Sequence, residues 1–188
     1  MGKITVETCH IEGLKVITPA VFGDERGYFM ETYHYQDYKD AGIDVEFVQD
    51  NQSASKKGVL RGLHFQLHYP QDKLVRVLSG EVYDVAVDLR KDSKTFGQWY
   101  GVHLSAENRK QFFIPKDFAH GFLVVSDMAE FAYKCTDFYH ANDEGGLYYL
   151  DKEIGIDWPI PNGMELIISD KDQKWDGIKA YVEANNRK

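Results

Sequence analysis

The chain has 188 residues, and 22 Lys+Arg against 30 Asp+Glu give a formal charge of −8. One domain over 1–188 is expected at this length; 43% hydrophobic and 28% charged residues exclude disorder, and the acidic balance excludes the basic stripe that a nucleic-acid polymer needs. The longest apolar runs, such as 121–125, are far too short to cross a membrane, and 1–9 is polar and alternating rather than a charged-then-apolar signal, so no membrane association and a cytoplasmic location are expected.

Two cysteines, Cys9 and Cys135, form neither a disulfide framework nor a metal motif and read as packing residues. Aromatic residues reach 14%, led by 12 Tyr, which favours pleated, half-buried surfaces. Short runs rich in Val, Ile, Phe and Tyr, punctuated by Gly, Asp and Asn, predict strands at 14–17 and 27–33. A turn or two of helix follows at 35–41, stopped by Gly42. Further strands are predicted at 46–53, 59–66, 73–79 and 82–88, the last two forming a hairpin in which Gly80 supplies the positive φ. Strands at 98–104 and 111–114 come next, the second ended by Pro115, which lacks a ladder donor. Strands at 120–125, 131–137 and 146–149 and a terminal helix at 174–184, packing by Trp175 and Ile178, complete the pattern. The fold class is all-β with short peripheral helices, a jelly roll ahead of an up-and-down barrel because strand lengths and gaps are irregular.

The densest polar cluster is Val59-Leu60-Arg61-Gly62-Leu63-His64-Phe65-Gln66. Strict alternation puts Leu60, Gly62, His64 and Gln66 on one face and Arg61 with Leu63 on the other, so Arg61 and His64 diverge unless a bulge at Gly62 re-aims one of them. Asp84 sits in an apolar strand and must be paired if buried. His120 opens a strand, and Tyr133 offers a phenol. Each alone reads as an ordinary hydrogen-bonded residue. Together they suggest a barrel mouth holding histidines, a tyrosine, carboxylates and cations. No second imidazole lies two residues from His64, and Lys73 stands where a carboxylate ligand would help, so no metal is expected. Histidine, tyrosine and carboxylate without a redox group are equipment for proton transfer.

The residues that carry a resemblance are Val21-Phe22-Gly23-Asp24-Glu25-Arg26-Gly27, Phe47-Val48-Gln49-Asp50-Asn51, Val59 to Gln66, Lys73-Leu74-Val75-Arg76, Gly80 to Arg90, Thr95-Phe96-Gly97-Gln98-Trp99, Leu104-Ser105-Ala106-Glu107-Asn108 and Ile114 to Phe122. Over nearly its whole length the chain resembles the dTDP-4-dehydrorhamnose 3,5-epimerase family. The resemblance implies a cupin jelly roll, a homodimer with a site completed by the partner chain, no metal and no organic cofactor, acting on a dTDP-linked 4-keto-6-deoxyhexose. By the same resemblance His64 is the base, Tyr133 the acid and Asp172 the carboxylate behind the histidine, with Asp170 as the alternative in Ser169-Asp170-Lys171-Asp172. Lys73 lies beside the sugar ketone, and Asp84 and His120 line the same cavity. Arg26, Gln49, Asn51, Arg61 and Glu144 match nucleotide and diphosphate contacts, Glu31 a further substrate contact, and Phe29 and Tyr139 the pair around thymine. The rival readings are a single-centre epimerase or keto-sugar isomerase, a non-catalytic sugar-binding cupin, and a metal-dependent oxygenase on the same barrel.

Overall fold

The period-two patterning of apolar residues is realised as thirteen antiparallel strands in a computed structural model that describes residues 3–186. One sheet runs in the order β1 (Ile4–Thr8), β2 (Lys15–Pro19), β10 (Gln111–Ile114), β7 (Lys73–Ser79), β12 (Met128–Cys135), β5 (Gln49–Lys56). The other runs β13 (Glu144–Gly146), β6 (Leu60–Gln66), β11 (Phe118–Val124), β8 (Glu81–Asp88), β9 (Trp99–Ser105). A separate hairpin joins β3 (Val21–Asp24) to β4 (Gly27–Met30), and helices α1 (Tyr35–Asp40) and α2 (Ile178–Asn186) lie at the periphery. The two sheets face each other as a jelly roll.

Strand alternation sorts the core into three layers. Val75, Val77, Val82, Ala86, Phe112, Phe122 and Phe131 meet between the sheets. Val85, Val87, Leu123 and Leu63 point outward from the smaller sheet, where Leu147, Tyr149, Trp158 and Ile178 of the C-terminal segment cover them. Ile17, Leu74 and Phe113 point outward from the larger sheet onto Tyr38 of α1, whose phenol donates to Gln111 Oε1 at 2.8 Å. Lys73, Asp84, His120 and Tyr133 share inward-facing registers with this apolar interior, so polar groups occupy one end of a space that hydrophobic side chains close at the other.

The strand at β6 departs from simple alternation. His120 pairs with His64 and Phe122 with Arg61, so Gly62 and Leu63 together oppose the single residue Gly121. This bulge turns Leu60 and Leu63 outward into one apolar layer and leaves Arg61 and His64 on the same inner side. The strict alternation expected from sequence therefore does not hold, and the bulge it demanded is present. Gly62 has φ +121° and a Cβ there would stand 2.6 Å from Gly121 Cα, so backbone packing and conformation both require glycine.

Several element boundaries differ from expectation. β1 and β3 were not anticipated, because Ile4–Thr8 is mostly exposed and Val21–Asp24 pairs only within its own hairpin. β5 begins at Gln49 and reaches Lys56, three residues later than expected at each end, because its full pairing with β12 fixes the register. The strand expected at 146–149 is Glu144–Gly146, where β6 offers an edge, while Leu147 and Tyr149 pack into the outer layer. The terminal helix begins at Ile178 rather than 174; Trp175 precedes it and lies against Gly146, where a Cβ would come within 2.4 Å of the indole. Gly80 has the expected positive φ, +74°.

Gly62→Ala is expected to lower stability by about 2–4 kcal/mol, combining left-handed strain with overpacking. Gly163, with φ +86° and nothing within 4 Å of a Cβ, is the control. Gly163→Ala should cost only about 1–2 kcal/mol, and thermal melts of the two variants measure the difference.

Candidate active site

Five strands and the C-terminal segment bring the polar inward residues to one cavity of about 700 Å³, lined among others by Arg61, His64, Lys73, His120, Tyr133 and Asp172. A smaller space of about 240 Å³ shares Asn51, His64, Lys73 and Tyr133 with it and continues to Gln49, Tyr139 and Glu144. The larger groove, about 820 Å³, lies outside the barrel near Trp99 and α2, where Lys179 and Glu153 satisfy each other at 2.7 Å, and it holds no comparable acid–base cluster.

His64 is the centre of the cavity's hydrogen bonding. Its Nε2 lies 2.6 Å from Asp172 Oδ1, and its Nδ1 faces Glu144 Oε1 at 3.9 Å. The Gly62 N–H donates to Asp172 Oδ2 at 3.3 Å, and the Asp172 N–H donates to Ser169 Oγ. Burial alone would raise the Asp172 carboxyl, but the His64 hydrogen bond and charge, the Gly62 amide and the Lys171 ammonium outweigh it and hold the group below the ordinary carboxylate range. Asp172 is buried and Asp170 exposed, so the first of the two faces the histidine. With Asp172 ionised, His64 Nε2 carries the proton in the neutral ring, and Nδ1 is the basic nitrogen.

A second histidine–carboxylate pair lies beside the first. His120 Nε2 lies 2.9 and 3.0 Å from the two oxygens of Asp84, and Asp84 is fully buried. Burial pushes the Asp84 carboxyl up and the His120 imidazole down, so both resist charging. Lys73 is half-buried with no carboxylate within ion-pair distance among the described residues. Burial lowers its ammonium, opposed by Cys135, Asp84 and Glu144. Tyr133 rises from the facing sheet, and burial raises its phenol, which stays protonated at neutral pH. Cys135 is buried and its thiol is pushed up to about 11, so it packs rather than reacts.

Other sequence-assigned residues divide by position. Arg61 borders the cavity and donates to Ser55 Oγ, while Gln49 accepts from the Tyr139 amide and donates to Asn51 Oδ1. Tyr139 is exposed on the rim and reaches Glu144 Oε2 at 3.4 Å. Arg26, Phe29 and Glu31 line neither space in this chain; Arg26 pairs with Asp24 on the exposed hairpin, and Phe29 beside it is 64% exposed. Sequence reasoning missed Lys171, which borders the cavity and joins Glu144 Oε2 at 2.6 Å. Its signal was its place inside the Ser169–Asp172 tract. Among the described residues no group of three or more His, Cys, Asp or Glu converges as metal ligands. No helix among them is long and apolar enough to cross a membrane.

A family model described as dTDP-4-dehydrorhamnose 3,5-epimerase matches residues 8–180. The chain is 54% identical over 169 residues to the dTDP-4-dehydrorhamnose 3,5-epimerase of Methanothermobacter thermautotrophicus, covering 90% of this chain and 91% of the relative. It is 56% identical over 164 residues to that of Shigella flexneri, covering 86% and 89%. The crystal structure of dTDP-6-deoxy-D-glucose-3,5-epimerase from Legionella pneumophila, in complex with dTDP-4-keto-L-rhamnose, superposes with a TM-score of 0.90 at 52% identity, covering 94% of this chain and 93% of the other.

Two measurements follow from the electrostatics. Because Asp172 titrates below its unfolded value, its stabilisation is complete above that value, near pH 4, and is lost as the pH falls through the lower folded one. Asp172→Asn should therefore lose about 1–3 kcal/mol at pH 7, and chemical denaturation should find the gap to the wild type narrowing below pH 4. Lys73 has the opposite sign: the fold bears the cost of its charge below the depressed folded pKa, and that cost vanishes as the pH rises past the unfolded one. Lys73→Met should raise the melting temperature by a few degrees at pH 7, with the gain shrinking above pH 10.

Proposed function

The chain belongs to the dTDP-4-dehydrorhamnose 3,5-epimerase family and is an epimerase of dTDP-rhamnose biosynthesis; on that premise we propose that it inverts C3 and C5 of dTDP-4-dehydro-6-deoxy-D-glucose by proton transfer between His64 and Tyr133. The observation that carries this reading is their placement on opposite sheets, His64 on β6 and Tyr133 on β12, with one cavity between them. A base on one side and an acid on the other remove a proton from one face of a carbon and return one to the opposite face, which is inversion.

Both carbons flank the C4 ketone, so one enolate-stabilising site serves both. His64 Nδ1 takes the proton, and Asp172 stabilises the resulting imidazolium. The C–H electron pair moves into the enolate, whose negative oxygen Lys73 stabilises from the cavity wall. Asp84 holds His120 in one tautomer beside it. The Tyr133 phenol, kept protonated by burial, then donates to the enolate carbon. No electron leaves the substrate and no bond to a metal is formed, so the reaction is read as needing no cofactor.

Arg61, Gln49, Asn51, Tyr139 and Glu144 are read as the nucleotide side of the site, the Legionella relative's ligand being a dTDP-sugar. Arg26, Phe29 and Glu31 are read as contributions to the site of a second copy of the chain. β3 and β4 pair only with each other and expose Phe22, Tyr28 and Phe29, a surface that a partner would cover. Residues 1–188 form one catalytic domain in this reading, and the two free thiols suit the reducing cytoplasm.

His64→Ala should abolish both wash-in of solvent deuterium and product formation, with a loss on the order of 10²–10⁴-fold or more. Tyr133→Phe keeps the ring packing and the base, so deuterium exchange with retention persists while inversion falls. NMR of dTDP-4-keto-6-deoxyglucose incubated in D₂O reads both; unchanged inversion in Tyr133→Phe removes the tyrosine from the mechanism, and an active His64→Ala removes the mechanism.

Sedimentation is expected to give twice the 21.6 kDa chain mass. Phe29→Ala should raise KM more than it lowers kcat, and a fully active monomer would exclude the shared site.

A further inference from the structure

The loop that carries Tyr139 and Glu144 is tied to the β6–β7 loop by one buried carboxylate that takes no part in the proton-transfer scheme. Asp143 accepts from the His68 amide at 2.9 Å and the Tyr69 amide at 2.9 Å through Oδ2, and His68 Nδ1 lies 2.6 Å from its Oδ1. Its backbone oxygen accepts from the Leu67 amide at 3.0 Å. Gln66 fastens the same two loops from the other side, accepting from the His140 amide at 2.9 Å and donating to the Tyr69 carbonyl at 3.0 Å. The Tyr69 ring stacks on His140 with centroids 4.0 Å apart. Asp143 is buried, yet the groups that bond to it belong to a rim whose outer surface is open, with His68, Tyr69 and Tyr139 all exposed.

Such an arrangement has a definite consequence for binding. A residue that must stack on a nucleoside costs least to bind when its loop is already fixed. Asp143 adjoins Glu144 and lies four residues from Tyr139, while the hydrogen bond that orients the His64 imidazole comes from Asp172 on the C-terminal segment rather than from this loop. We propose that Asp143, with His68, is a positioning residue that pre-orders the Tyr139–Glu144 rim for the nucleotide half of the substrate without acting on the chemistry at the sugar. The inference rests on the reading of Tyr139 and Glu144 as nucleotide contacts and adds to it the group that sets their affinity. A nucleoside diphosphate lacking the sugar should feel the change as strongly as the whole substrate does.

The test compares Asp143→Asn, Asp143→Ala and His68→Ala with the wild type, using steady-state kinetics on dTDP-4-keto-6-deoxyglucose and calorimetric titration with dTDP. Asp143→Ala is expected to raise KM and the dTDP dissociation constant together by about tenfold, the cost of ordering two rim side chains at binding, with kcat within twofold. Asp143→Asn, which keeps an acceptor oxygen, and His68→Ala, which keeps the carboxylate and the backbone donors, should each give a smaller rise of the same kind; they also decide the matter if Asp143→Ala does not fold. A kcat that falls in parallel with dTDP affinity unchanged, or unchanged constants throughout, would overturn the inference. Tyr139→Ala separates the two levels: lost dTDP affinity there without loss in the Asp143 and His68 variants sinks the positioning role alone, whereas unchanged affinity in Tyr139→Ala sinks the nucleotide reading of the rim and the inference with it.

Discussion

Two glycine backbones pressed together determine the geometry of the cavity. Gly62 and Gly121 approach so closely that a Cβ on either would stand 2.6 Å from the other strand's backbone. That approach lets β6 fit two residues against one on β11, and the extra residue rotates His64 into the interior on the same side as Arg61. It also aims the Gly62 amide at Asp172, so the backbone feature that orients the histidine helps to keep its carboxylate ionised. A regular strand with the same side chains would place the imidazole on the far side of the sheet from the arginine.

Around that histidine the interior treats charge unevenly. Asp172 collects donors from a side chain and a backbone amide and stays anionic, whereas Asp84, His120 and Lys73 are pushed by burial toward their neutral forms. Of these four groups only Asp172, behind His64, is held in its charged form. In the proposed reaction the enolate oxygen forms beside Lys73 on the cavity wall, while the anionic Asp172 stands behind His64. The overall charge of −8 is compatible with an anionic substrate because surface charges farther than a Debye length, about 8 Å at physiological salt, are screened.

The parts of this arrangement visible in the sequence were those with local signals. Inward and outward faces of β7, β8, β11 and β12 follow from alternation, and Asp84, His120 and Tyr133 stand out as polar groups in apolar runs. The hairpin turn at Gly80 and the end of β10 at Pro115 follow from backbone chemistry. Asp172 was reachable only through the family resemblance, since it lies 108 residues from His64 in sequence and no pattern near either residue links them. Asp143 was invisible for the same reason: it gains its meaning from another loop. The edge strand β1 escaped notice because its side chains, mostly exposed, leave a weak apolar signature.

The route by which Asp172 arrives has a bearing on how the protein fails. From Leu147 to Lys171 the chain contains no helix or ladder strand and is held by inserted side chains such as Tyr149, Ile154 and Trp158 and by a short bridge between Val59 and Ile167. Segments fastened in this way open at lower free energy than paired strands. Detachment of this covering would withdraw the carboxylate from the imidazole while both sheets remain intact, so heat or denaturant would silence the enzyme through a partial opening to which far-ultraviolet dichroism is nearly blind. Amide exchange in the covering segment, rather than the melting of the barrel, would mark the working limit of the protein.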